Sequence, residues 1–72
     1  MPRYHFDLVD SKVVADEGGE DLPDDVSAID VAERIARRLR TERPELRNRH
    51  YAIVVSDEDG RQVCRVPIDA VH

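Results

Sequence analysis

Apolar residues recur along this chain with two different periods, and each period predicts a different element. Between Val26 and Leu39 (VSAIDVAERIARRL) they return every three or four positions. Wound at about 100° per residue, Ala28, Ala32, Ile35, Ala36 and Leu39 gather on one side, with Ile29 and Val31 at its margins. Asp30, Glu33, Arg34, Arg37 and Arg40 take the rest of the circumference. The pattern predicts a one-faced amphipathic helix whose alanines let it lie close to a flat partner. Pro23 and Asp24 mark its start, with the aspartate suited to the N-cap. Asp25 near the start and Arg37, Arg38 and Arg40 near the end complement the helix dipole. Asp30 with Arg34 and Glu33 with Arg37 are spaced for i, i+4 ion pairs. Pro44 disfavours helical geometry at Arg43, so the helix should stop between Thr41 and Arg43.

Elsewhere the period is two. Arg3 to Val9 alternates Tyr4, Phe6 and Leu8 against Arg3, His5 and Asp7, as a half-buried strand does. Asp10-Ser11-Lys12 is turn-like, and Val13 to Ala15 predicts a short returning strand. Asp16 to Asp21 (DEGGED) is too acidic and glycine-rich to be expected in a regular element, and Leu22 supplies one apolar anchor before the helix. Glu45 to Arg49 predicts a polar connection with Leu46 buried. His50 to Ser56 predicts a second strong strand, Asp57 to Gly60 a turn closed by glycine, and Arg61 to Ile68 a last strand that meets an edge at Pro67. Pairing Ser56 with Arg61 sets Ile53 opposite Cys64 and Tyr51 opposite Val66. The expected architecture is therefore a single two-layer α+β domain over residues 1–72, β-β-α-β-β. Its four-stranded antiparallel sheet should run in the order 2-1-3-4, with one helix on one face.

Composition narrows the function classes. The chain has 72 residues, 40% hydrophobic and 38% charged, so the core is thin. A chain this small buries only ~60% of its unfolded surface, and burial against a second copy would help it. No apolar run approaches the ~20 residues that span a bilayer. The charged opening residues do not form a signal-peptide core. One cysteine cannot form an internal disulfide, and a reducing cytoplasm is the expected compartment. The net charge of −5 is unevenly placed. Residues 33–50 carry seven basic and three acidic side chains, whereas residues 1–32 carry nine acidic and two basic.

Met-Pro-Arg-Tyr-x-Phe-Asp at the start, Asp16-Glu17-x-Gly19-x-x-Leu22-Pro23-Asp24 before the helix, and Val55-x-Asp57-Glu58-x-Gly60-Arg61 near the end form a pattern spanning nearly the whole chain. It resembles a domain-of-unknown-function family of short alphaproteobacterial proteins, common in rhizobia. The matching residues belong to turns and strands. What the resemblance implies is the fold; it brings no activity and no catalytic residues. Asp21 stands where that family more usually has glutamate before the Leu-Pro.

Candidate chemistry is sparse. Arg34, Arg37, Arg38, Arg40, Arg43, Arg47 and Arg49 form a basic island that nucleic-acid phosphates or an acidic protein could meet. No aromatic residue lies among them to stack bases, and the pI of about 5.0 argues for a solvated helix face instead. Neither the acidic stretch nor Asp57-x-Asp59-Gly60 has the ligand spacing of a calcium loop. His5 and Asp7 share a strand face as a conceivable proton-transfer pair, but no nucleophile or orienting residue accompanies them. His50 and His72 have no ligand-like spacing with Cys64, and Cys64 falls at a core-facing position. No catalytic residue, metal site or cofactor is expected. The sheet face away from the helix, with His5, Asp7, Ala52, Val54, Val63 and Arg65, has an apolar centre and a polar rim. That is the anatomy of a small interface. A non-catalytic, self-associating interaction module, most simply a homodimer, is the first expectation, and a nucleic-acid-binding regulator is the second.

Overall fold

A computed structural model describes residues 1–46 and 50–69. Four strands form one antiparallel sheet in the order β2-β1-β3-β4. They are β1 (Arg3–Val9), β2 (Val13–Asp21), β3 (Ala52–Ser56) and β4 (Gln62–Pro67), with the helix α1 (Asp25–Glu42) between the hairpins. The expected strand order and the single covering helix are both present. Arg47, Arg49 and His72 lie outside the described residues.

Local chemistry sets the helix ends. Asp24 is extended and its carboxylate accepts a hydrogen bond from Ser27 N at 2.9 Å. It thereby satisfies one of the amides that the first turn leaves without a partner. At the other end Arg43 N donates to Leu39 O, and the chain passes into a single 3-10 turn, Pro44–Leu46, whose Leu46 is buried. The i, i+4 ion pairs do not form: among the described residues, no salt bridge joins Asp30 to Arg34 or Glu33 to Arg37. Exposed pairs of that kind gain little against side-chain entropy.

The core lies between α1 and the sheet. Tyr4, Phe6 and Leu8 from β1, Ile53 and Val55 from β3, and Ile68 pack with Ala28, Val31, Ala32, Ala36 and Leu39. Ala28 and Ala32 are completely buried, so the helix does sit close to its partner. It lies over β3 and β4. A groove remains above β2, lined by Glu17, Glu20, Val31, Arg34, Ile35 and Arg38. Ile35 is therefore only half-buried, although the period places it mid-face. Tyr4 is tied to the first helical turn: its hydroxyl donates to Asp25 Oδ1 at 2.7 Å.

Two expectations need correction. First, β2 runs on through Asp16 to Asp21. It is an edge strand, so Asp16, Glu20 and Asp21 stay in water, and Gly19 permits a close approach of backbone. A Cβ there would sit 3.1 Å from the Tyr4 carbonyl oxygen. Second, the β3–β4 register is two residues away from the expected one. Ile53 faces Val66 and Val55 faces Cys64, with an irregularity before Ser56↔Gln62. The turn itself forms as expected. Gly60 has φ +83°, and Asp57 Oδ1 accepts from both Asp59 N and Arg61 N, which takes Arg61 into the turn and out of the strand. A shift of two keeps every side chain on its original face.

Candidate functional site: the open sheet face

The cross-strand register builds the uncovered face as rows. Directly paired residues point to the same side of a sheet. The first row is therefore Val13, Val9, Ala52 and Pro67, apolar from edge to edge. The second is Asp16, Asp7, Val54 and Arg65, and the third is Gly19, His5, Ser56 and Gln62. His5, Asp7, Ala52, Val54 and Arg65 thus stand together on one face. Val63 has no cross-strand partner and packs against the hydrophobic cluster, so it adds little to the open surface.

Within this face the exposure is graded. Val13 is 63% exposed, whereas Ala52 is fully buried. Arg65 donates from Nη2 to the His50 carbonyl at 3.2 Å. Asp7, Val9 and Val54 are half-buried. The middle of the face is thus partly dry, and acid stands at the β2 side with base at the β4 side.

The acidic side holds a cluster that the spacing of residues did not reveal. His5 Nε2 lies 3.1 Å from Asp7 Oδ1 and 3.5 Å from Asp16 Oδ2. Asp16 arrives there through a β-bulge. Arg3↔Asp21, Tyr4↔Glu20 and His5↔Gly19 run in one register, and Asp7↔Asp16 and Leu8↔Ala15 run in the next. Two residues, Glu17 and Gly18, therefore oppose Phe6 alone, and Gly18 adopts φ +102°, a left-handed value that glycine accepts at little cost. Had the first register continued, Glu17 would have faced Asp7. The bulge instead sends Glu17 to the helix side, 3.9 Å from Arg38 Nη2. An alternating acid count before the glycine pair would have been the only sequence signal, and it is visible only once β2 is known to continue.

The arginines are less concentrated. Arg34, Arg37 and Arg38 line a shallow surface with Thr41 and Glu42. Arg37 and Arg40 border a different groove beside β4, together with Glu33. Arg43 is held by Glu45, Nε to Oε2 at 2.7 Å, and this contact raises the guanidinium pKa and lowers that of the carboxyl. Cys64 is half-buried. Burial pushes its thiol pKa up, with smaller contributions from Glu33 and Asp25, which is the opposite of an activated nucleophile.

Fold and site together define a two-layer α+β domain in which, among the described residues, the one α-helix covers one sheet face. A family model described as a domain of unknown function, DUF6894, matches residues 3–69, and the chain belongs to that family. No curated protein and no solved structure gives a significant match. Among the described residues, no helix is long and apolar enough to cross a membrane.

Proposed function

We propose that this protein is a small non-catalytic interaction module that pairs with a second copy of itself through the open sheet face. The observation that carries this reading is the self-complementarity of the rows. A two-fold axis lying along the strands, between β1 and β3, places β2 of one copy over β4 of the other and keeps each row on itself. Val13 then meets Pro67, and Asp16 meets Arg65, in the aligned packing that two sheets adopt. Apolar contacts fill one row while opposite charges register the next.

The contact is small. Four strands at ~4.8 Å spacing and five residues at ~3.3 Å rise cover about 300 Å² of face. This is well under the ~800 Å² per partner of a standard stable interface, so the expected dimer is weak and concentration-dependent. Sedimentation across a range from dilute to millimolar protein tests it. Val13→Glu, at a position exposed enough to leave the fold alone, should shift the chain to monomer. Asp16→Arg and Arg65→Asp should each weaken association, and the double variant should recover it. A wild-type chain that stays monomeric at millimolar concentration refutes the reading.

A second reading rests on the shared surface of Arg34, Arg37 and Arg38, which could meet nucleic-acid phosphates. It has less support, because Glu17, Glu33 and Glu42 stand among the arginines and the chain is acidic overall. It expects a salt-sensitive gel shift that Arg37→Glu and Arg38→Glu abolish, and no shift at low salt ends it.

A further inference from the structure

We propose that His5, Asp7 and Asp16 form a binding site for a divalent transition-metal ion on the open face of the sheet. The donor atoms, one imidazole nitrogen and two carboxylate oxygens, all lie within 4.8 Å of one another. Bonds of ~2.1 Å to one ion, at angles between octahedral and tetrahedral, separate neighbouring donors by about 3.0–3.5 Å. The separations from His5 Nε2, 3.1 and 3.5 Å, already span that interval. The third separation, between the two carboxylates, is within 4.8 Å.

Three features of the surroundings favour a cation here. Asp7 and Asp16 are direct cross-strand partners, and like charges so placed repel. Among the described residues no lysine or arginine forms a salt bridge with either carboxylate, and the side chain that reaches both is the His5 imidazole. Gly18 N donates to Asp16 Oδ1, which fixes the carboxylate and leaves Oδ2 directed toward His5. Finally, the Glu17–Gly18 bulge lets Asp16 share a face with Gly19, three positions further on, where strict alternation would set them on opposite sides, and bulges commonly serve to re-aim a side chain.

The chemistry of the donors selects the ion. Imidazole with carboxylate suits zinc, nickel or copper(II), whereas magnesium and calcium prefer an all-oxygen set. Among the described residues three protein donors are present, and the side chains of His5 and Asp16 are 47% and 65% exposed. Water would complete the coordination, and affinity should be moderate. Because the imidazole and both carboxylates must be free of protons, binding should weaken in acid.

All three donors belong to one chain, so the proposal does not rest on self-association. Calorimetry and amide NMR on dilute protein, titrated separately with zinc chloride, nickel chloride and magnesium chloride, test it. One zinc or nickel ion should bind per chain, with amide shifts centred on His5, Asp7 and Asp16, and magnesium should not compete at equal concentration. His5→Ala and Asp16→Asn should each lower zinc affinity tenfold or more. Asp21→Asn on the same strand should leave it unchanged, and so should the Val13→Glu variant designed to be monomeric. Failure to bind zinc or nickel at millimolar metal overturns the proposal. So does affinity that survives both His5→Ala and Asp16→Asn, which would place the metal elsewhere on the chain.

Discussion

Enlarging Ala32 should separate a helix held tightly against the sheet from one that merely rests on it. Ala32 is completely buried within the main cluster. Leucine adds three carbons there. If space were free, their burial would stabilise the fold by about 2.4 kcal/mol at ~0.8 kcal/mol per carbon. With no space, over-packing should instead cost about 1–3 kcal/mol, since α1 must lift or the neighbouring side chains must leave their rotamers. The 72 residues imply a total stability of only about 4–11 kcal/mol at ~0.05–0.15 kcal/mol per residue, so the loss would be large. Ala36 is the internal control. It is also buried, at 4% exposure, but it borders a groove of about 240 Å³ with Val66, Pro67 and Ile68, into which a leucine can extend. Urea unfolding followed by circular dichroism, at a concentration low enough to suppress self-association, should give Ala32→Leu a clearly lower midpoint and Ala36→Leu a nearly unchanged one. An Ala32→Leu protein as stable as the parent, or more so, would refute the close-packed helix.

Four further outcomes follow from contacts already described. The hydrogen bond that Tyr4 donates to Asp25, aided by burial, pushes its phenol pKa up to about 12; the stability this contributes is full below the ordinary tyrosine pKa of ~10 and is lost as pH rises through about 12, so ultraviolet titration should show a late-ionising phenol that Tyr4→Phe removes. Ser27, donating to Asp24, holds that carboxyl below its usual pKa; the resulting stability is present above the ordinary value and disappears as pH falls through the lowered one, and Asp24→Ala should lower the melting temperature at neutral pH with a much smaller difference in acid. Cys64 should react with iodoacetamide more slowly than a free thiol at the same pH, and unfolding in urea should abolish the difference. Because a bound dication and Arg65 of a second copy would both meet the Asp16 carboxylate, zinc should weaken self-association, and by linkage dimer formation should weaken zinc binding by an equal factor; sedimentation with and without metal measures both.

Legibility in the sequence tracks how local the governing physics is. The helix was readable because its cap, its period and its stop at Pro44 all lie within a few residues of one another, and the ends at Asp25 and Glu42 follow from them. The order of the strands was readable because two well-patterned strands at the centre bury the most. The stretch Asp16–Asp21 was not readable as strand, since its composition is that of a loop and its order comes from pairing along a single edge with β1. The β4 register was missed for a related reason: the irregularity beside Ser56 leaves no mark on the pattern of apolar residues. Of the open face, His5, Asp7, Ala52, Val54 and Arg65 were placed together by alternation alone. Asp16 joined them only through a change of register that alternation does not contain.

The surplus residue at Glu17–Gly18 lets two stretches of one edge ribbon keep separate phases. Removing Gly18 would bring both stretches into a common count, with Asp16 still outward and Glu17 still beneath the helix. Removing Glu20 would instead set Asp21 opposite Tyr4, turning it from its wet side to its dry side. Loss of one residue from the second half of this ribbon should therefore be tolerated best at that joint, where no charge changes sides.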